Sequence, residues 1–248
     1  MKNIKIVVIG ETCVDKFIYC NINRLSPEAP VPILIPTHTE TNQGMSGNTC
    51  ANIKALSPDS QTIHLSNLKQ ITKTRYVEKK TNHMFLRVDE GDSEIESFKW
   101  SDDYIYFLEE ADIVIVSDYD KGYLTNDDLI KIASNSKLSI LDSKRKLNNI
   151  ATHMFDFIKL NEEEWENNKG LDPNNIIVTL GSKGSMYMGE IFSSENPQET
   201  IDVSGAGDTF TAAFALSYIE SPSVPNAINY ANKIASQVVS KRGVKTPT

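Results

Sequence analysis

The chain has 248 residues, enough for one large α/β domain with a full core or for two small domains. Hydrophobic residues make up 40% and charged residues 23%, an ordinary globular composition. The formal charge of −8 argues against nucleic acid or an anionic membrane as the main partner, but leaves room for a small anion at a locally positive site. Cys13, Cys20 and Cys50 lack metal-type spacing and read as reduced thiols of a cytoplasmic protein. The opening apolar run is too short for a signal-peptide core or a bilayer span.

In chain order, "IKIVVIG" (4–10) predicts a central parallel strand covered on both faces. "FIYCNINR" (17–24) reads as a half-exposed strand, and "SPEAPVPILIP" (26–36), with four prolines, as a loop and an edge strand. "SGNTCANIKAL" (46–56) predicts a helix with Ser46 as N-cap. Residues 72–88 give two strands around a hairpin at Thr81–Asn82–His83. Strands and helices then alternate: "ADIVIVSD", "TNDDLIKIAS", "KLSILDS", "FDFIKL", "NEEEWENN" and "NIIVTLG". Two short strands, "GSMYMG" and "EIFSS", follow, and two helices run from Gly207 to about Lys241. This order predicts an α/β fold with a three-layer α/β/α, mostly parallel sheet. The strands before residue 90 break the alternation and predict a small separate β lid, drawn from about 16–38 and 73–89, on a single domain of residues 1–248.

"IDVSGAGDTF" (201–210) sets Gly205 and Gly207 two apart, between a short strand at 200–203 and a helix. Such a turn aims backbone N–H groups outward at the positive end of a helix, which suits an anion. Asp208 beside a bound anion makes sense if it takes a proton from an attacking hydroxyl while the N–H groups hold a transferring phosphoryl group. A plain helix cap with Ser204 as N-cap explains the same residues equally well on this stretch alone. "NEEE" places Asn161 and Glu164 on one face of a helix start, where they could hold hydrated Mg²⁺; a solvated acidic first turn is the commoner use. "TLGSKG" (179–184) ends a strand with two glycines, suited to a nucleotide lying on the backbone or to an ordinary hairpin turn. No GxxxxGK[ST], no GxGxxG after the first strand and no nucleophile elbow is present. His38, His64, His83 and His153 are scattered.

Together these stretches resemble the ribokinase-like (PfkB) family of carbohydrate kinases, in order and over nearly the whole chain. "DVSGAGDTF" is similar to the family's C-terminal signature. "GMSGNTCAN" (44–52) is similar to the N-terminal one, with Met45 where a second glycine is usual. "NEEE" fits its N-x-x-E pattern and "YANKIAS" (230–236) its adenine-side helix. "INRLSPEAPVPIL", "TKTRYV…FLRVDEG" and "SDYDKG" look like the subgroup that makes heptose 1,7-bisphosphate from heptose 7-phosphate.

The resemblance implies ATP as phosphoryl donor with Mg²⁺ and K⁺, and Asp208 as catalytic base with Gly205, Ala206 and Gly207 as the anion hole. It implies Asn161, Glu164, Thr179, Gly181, Gly184 and Asn232 on the nucleotide side, Glu164 reaching the metal directly or through water. Asp202 matches a monovalent-cation loop with backbone near Gly243. Asp15, Gly44 and Asn48 would hold sugar hydroxyls. Of the basic residues Arg75, Arg87, Lys121 and Lys144, Arg87 and Lys121 are the choices for an acceptor phosphate. The partner is a small sugar phosphate, with no nucleic acid and no membrane, and the lid's apolar face predicts a homodimer. Only "SPDSQTIHLSNLKQI" joins the 46–56 helix to the lid, where the family carries a further βαβ-like stretch. A kinase for ribose, fructose, another sugar or a nucleoside remains an alternative, as does a binding protein weakened by that shortening.

Overall fold

The structure, a computed structural model, describes residues 4–194, 205–239 and 246–247. The β-branched run forms β1 (Lys5–Gly10), buried on both faces from Ile6 onward. After Glu11 the chain continues as β2 (Thr12–Leu25), turns through Pro27 and Pro30, and returns antiparallel as β3 (Pro32–Met45). Next come α1 (Ser46–Leu56), β4 (Gln61–Leu65) and the hairpin of β5 (Ile71–Glu78) and β6 (Met84–Glu90). Asn82 turns that hairpin with φ of 60°, a conformation asparagine tolerates better than most residues.

The second half alternates as expected. It runs α2 (Asp102–Glu110), β7 (Ile113–Asp118), α3 (Asn126–Ser134), β8 (Ser139–Ser143), α4 (Asn149–Met154), β9 (Phe157–Asn161) and α5 (Glu162–Asn167). The chain then forms β10 (Ile176–Thr179), β11 (Ser185–Tyr187), β12 (Glu190–Phe192), α6 (Ala206–Glu220) and α7 (Val224–Val239). Two helices have no counterpart in the sequence reading, α2 and α4. For α2 the signal is present: Ser101 accepts from Tyr104 N, with Asp102 and Asp103 in the first turn.

Eight strands form the main sheet in the order β12-β11-β10-β9-β8-β7-β1-β4. All neighbours from β10 to β4 are parallel, and β11 and β12 add an antiparallel edge. Alternate residues of each central strand face opposite layers. Val7, Ile9, Val114 and Val116 pack against Leu108 of α2 and Leu129 and Ile132 of α3. Ile6, Val8, Ile113 and Ile115 pack against Ile53 of α1, Phe210–Leu216 of α6 and Ile228 of α7. Each fully buried isoleucine here stabilises the fold by about 1.5–3 kcal/mol, so the three-layer arrangement follows from the strand pattern. None of the described helices is long and apolar enough to cross a membrane.

The lid is a separate four-stranded sheet in the order β3-β2-β5-β6. Its strands are longer than the sequence bounds, starting at Thr12 and Ile71, because β2 runs straight on from β1 and pairs in parallel with β5 along its length. Only residues 66–70 link β4 to β5, so the shortened stretch leaves β4 as the edge of the main sheet. Ser46 is not the N-cap of α1. Its hydroxyl donates to Gly10 O at 3.0 Å and meets His64 Nε2 at 2.8 Å, and Met45 takes the cap position.

Candidate active site

The carboxyl ends of the parallel strands, where open α/β sheets bind ligands, face the lid sheet and the start of α6. Gly205 caps that helix with φ of 82°, a left-handed conformation that glycine adopts without strain, and no side chain satisfies the first turn. Ala206 and Gly207 form the first turn, so their N–H groups lie at the positive helix end. Ser204 lies outside the described residues, as do Asp202, Gly243 and the strand expected at 200–203.

Asp208 follows directly, 5% exposed. Asn48 Nδ2 donates to its Oδ2 at 2.8 Å, and the Tyr119 hydroxyl donates to its Oδ1 at 3.0 Å. Asn48 is held from behind by Asn52, which accepts from Thr209 of α6. Burial, then the charge of Asp142, pushes the Asp208 carboxyl up to about 6, against the pull of Asn48, Lys159 and Tyr119. A carboxylate tuned this way suits a general base working near neutral pH.

Beneath the glycine turn lies a buried ion pair that the sequence reading missed. The β8–β9 register sets Asp142 opposite Lys159, and Lys159 Nζ donates to both carboxylate oxygens at 3.0 and 3.2 Å. Thr211 of α6 also donates to Asp142. A Cβ built at Gly207 would meet Lys159 Nζ at 2.8 Å, so a larger residue there would displace the ammonium that stands behind the turn. Burial lowers the Lys159 pKa, but Asp142, Glu164 and Asp208 more than reverse that and leave it raised. The only trace in the sequence is one charge inside each apolar run, "SILDS" and "FIKLN".

A cavity of about 650 Å³ opens in front of this turn, lined by Asn161, Glu162, Glu163, Thr179, Gly181 and Gly207 among others. Asn161 and Glu164 form a reciprocal cap on α5: Asn161 N donates to Glu164 Oε2, and Glu164 N donates to Asn161 Oδ1, both at 2.7 Å. Glu164 is buried, and its second oxygen accepts from Lys144 Nζ at 2.5 Å. Among the described residues no three His, Cys, Asp or Glu side chains gather to hold a metal unaided. The acids of α5 around the cavity instead fit a magnesium ion that keeps most of its water and shares phosphate oxygens. Gly184 and Asn232 stand away from this cavity. Gly184 packs against the Phe192 carbonyl, and Asn232 ties α7 to Ser185 and Phe192.

A second cavity, about 360 Å³, lies under the lid and contains Asp15, Gly44, Asn48, Arg87 and Lys121 together with Asp208. Gly44 is fixed by close approach, since a Cβ there would collide with Asp15 Oδ2. The cavity carries Lys73, Arg75, Arg87, Lys121 and Lys144 on its walls. Arg75 is paired with Asp15, Lys73 with Asp89 and Asp92, Arg87 with Asp89, and Lys121 with Asp92. Four of these five cations thus share three carboxylates, and Lys144 pairs with Glu164. Lys73 is the wall cation that sequence reasoning left out. Glu11, fully buried, accepts from the backbone N of Tyr119, Lys121 and Tyr123 and so fixes the loop that brings Tyr119 and Lys121 to the site.

Residues 59–248 match the family model described as pfkB family carbohydrate kinase. The chain is 28% identical to a bifunctional protein HldE of a Nitratiruptor species, over 98% of this chain and 63% of that protein. It is 31% identical to one of Helicobacter pylori (strain J99), over 96% of this chain and 63% of the relative. The chain therefore spans less than two thirds of the length of these relatives. The two alignments run over 291 and 294 residues, more than the chain possesses, so the relatives carry segments within the matched region that are absent here. Among solved structures, Arabidopsis thaliana ribokinase complexed with ribose and ATP superposes with a TM-score of 0.70 at 20% identity, covering 97% of this chain and 94% of that one. Phosphofructokinase-2 from Escherichia coli in complex with potassium does so with a TM-score of 0.71 at 15% identity, covering 100% and 96%. At such identities the likeness is one of fold.

Proposed function

Since the chain belongs to the pfkB family of carbohydrate kinases, we propose that it transfers the γ-phosphoryl group of ATP to a hydroxyl of a sugar phosphate, heptose 7-phosphate giving heptose 1,7-bisphosphate. The observation that carries the acceptor class is the wall of five cations, Lys73, Arg75, Arg87, Lys121 and Lys144, around the cavity floored by Asp208. An unphosphorylated polyol needs no such wall, whereas a phosphate of about two negative charges on an acidic protein must be neutralised locally. The likeness of "RLSPEAPVP" and its neighbours to heptose-phosphate kinases supports the same class.

In this reading ATP occupies the larger cavity, with its phosphates at the start of α6 and Thr179 and Gly181 beside the nucleotide. The acids of α5 and Asn161 would hold a hydrated Mg²⁺, which would offset phosphate charge there. Asp208 takes the proton of the acceptor hydroxyl, and the N–H groups of Gly205–Gly207 receive the charge that builds on the phosphoryl oxygens. Asp15 and Asn48 orient the sugar, and Arg87 and Lys121 hold its phosphate. The three unpaired thiols suit a reducing cytoplasm, and the lid supports a homodimer. ADP release measured with heptose 7-phosphate, heptose, ribose and fructose 6-phosphate tests the reading. A kcat/KM for the heptose phosphate at least about 10²-fold above that for heptose is expected, the size of one desolvated charge pair. Equal use of both would replace this reading with a plain sugar kinase.

A further inference from the structure

The two cavities share four lining residues: Tyr119, Lys144, Gly205 and Asp208. A phosphoryl group passing from a donor in one cavity to an acceptor in the other crosses this shared wall. Asp208 is the base there, Tyr119 donates to it, and Gly205 opens the helix. Lys144 is the cation of the set.

Its main chain is fixed, because Lys144 N donates to Asp118 O at the end of β7 at 2.9 Å. Its ammonium is held at the edge of the site by Glu164. The side chain is 40% exposed, with Nζ at 2.5 Å from Glu164 Oε1 and 5.3 Å from the centroid of the Tyr119 ring. Lys159, by contrast, is buried and bound to both oxygens of Asp142, and serves as a fixed background charge. A lysine on a flexible four-carbon stem, with three donors and an exposed resting place, can follow a moving anion.

We propose that Lys144 is a further catalytic residue, whose ammonium leaves Glu164 to accompany the transferring phosphoryl group between the two cavities. The proposal rests on the kinase reading above. In the step, the bond from the γ-phosphorus to the bridging oxygen of ADP breaks and its electron pair leaves on ADP. A bond forms from the acceptor hydroxyl oxygen to that phosphorus, and the hydroxyl proton passes to Asp208. Lys144 offsets charge on the three non-bridging oxygens, which carry most of it midway.

The test is titration calorimetry with Mg²⁺ and ADP, with and without aluminium fluoride, which mimics the phosphoryl group in transfer. Aluminium fluoride is expected to tighten ADP binding by the wild-type protein. Lys144→Met is expected to lose at least tenfold of that gain while its affinity for ADP alone stays within threefold, and Lys144→Arg to keep part of the gain. A merely structural lysine would weaken ADP binding itself and leave the gain unchanged. An unchanged gain in Lys144→Met, or no gain in the wild type, overturns the assignment. Failure of the wild-type protein to bind ADP overturns the kinase reading, and this assignment with it.

Discussion

In the proposed function Asp208 is the base, and its environment makes a prediction in two directions. Burial and the nearby charge of Asp142 place its pKa at about 6, so the acid limb of kcat/KM is expected near pH 6 rather than near pH 4. The same shift has a thermodynamic sign. An unfolded aspartate titrates near 3.9, so between about pH 4 and 6 the folded chain holds a proton that the unfolded chain has released. Stability from this group therefore falls as pH rises through that window and stays lost above it. Asp208→Asn removes the buried charge. At pH 8 it is expected to raise the thermal midpoint, by the equivalent of about 2–3 kcal/mol, with the gain vanishing near pH 4. Turnover falls by about 10²–10⁴-fold or more. Melting curves of parent and variant at the two pH values check the first part, and identical offsets at both would refute it. The acid's place at the start of α6 was legible in the sequence because glycines and an acid crowd one helix start. Its tuning was not, because Asp142 and Lys159 come from two other strands and meet only through sheet register.

At the scale of elements, the junction of β3 and α1 shows what a local departure costs. Met45, standing where a second glycine is usual in the family resemblance, has φ of 56° and ψ of −137°. A non-glycine residue held there stores about 1–3 kcal/mol of strain. Its side chain offsets this by being 5% exposed against Cys13 and Ile71. Met45→Ala loses the burial, about 2–5 kcal/mol, and keeps the strain, whereas Met45→Gly loses the burial and relieves it. The glycine variant is therefore expected to be the more stable of the two, although glycine elsewhere in or beside a helix is about 1 kcal/mol worse than alanine. Urea unfolding of the pair decides it, and the ordinary order, alanine above glycine, would show that the backbone is unstrained. Strands and long helices were readable from apolar period and caps, as in the Thr125–Asp128 capping box of α3. The 3.6-residue period could not separate ligand from cap in "NEEE". Asn161 and Glu164 lie on one face under either use, and only the backbone shows each accepting from the other's N–H.

For the whole molecule, the open question is what covers the lid. On β6, Leu86 and Val88 share one face, and both are exposed, at 50 and 38%. Val31 and Ile35 are exposed at 51 and 46% beside the other edge of the same sheet. An apolar surface of this kind marks an interaction site, and a second copy presents the self-complementary patch that a two-fold dimer requires. The alternation of the strand joins this to catalysis. Arg87, between Leu86 and Val88, points to the opposite face and lines the cavity under the lid, where the proposed function seats the acceptor. A partner seated on Leu86 and Val88 would hold the strand that carries Arg87. The chain is thus expected to sediment at twice its 27.7 kDa at micromolar concentration, and Leu86→Glu to make it monomeric, since a buried unpaired charge at an interface costs several kcal/mol. The monomeric variant should show a KM for the phosphorylated acceptor raised about tenfold or more, with KM for ATP within about twofold, because the α6 turn and the donor cavity lie outside the lid and only the hold on Arg87 is loosened. A wild-type monomer by sedimentation would remove the dimer. A monomeric Leu86→Glu with an unchanged acceptor KM would separate assembly from the site.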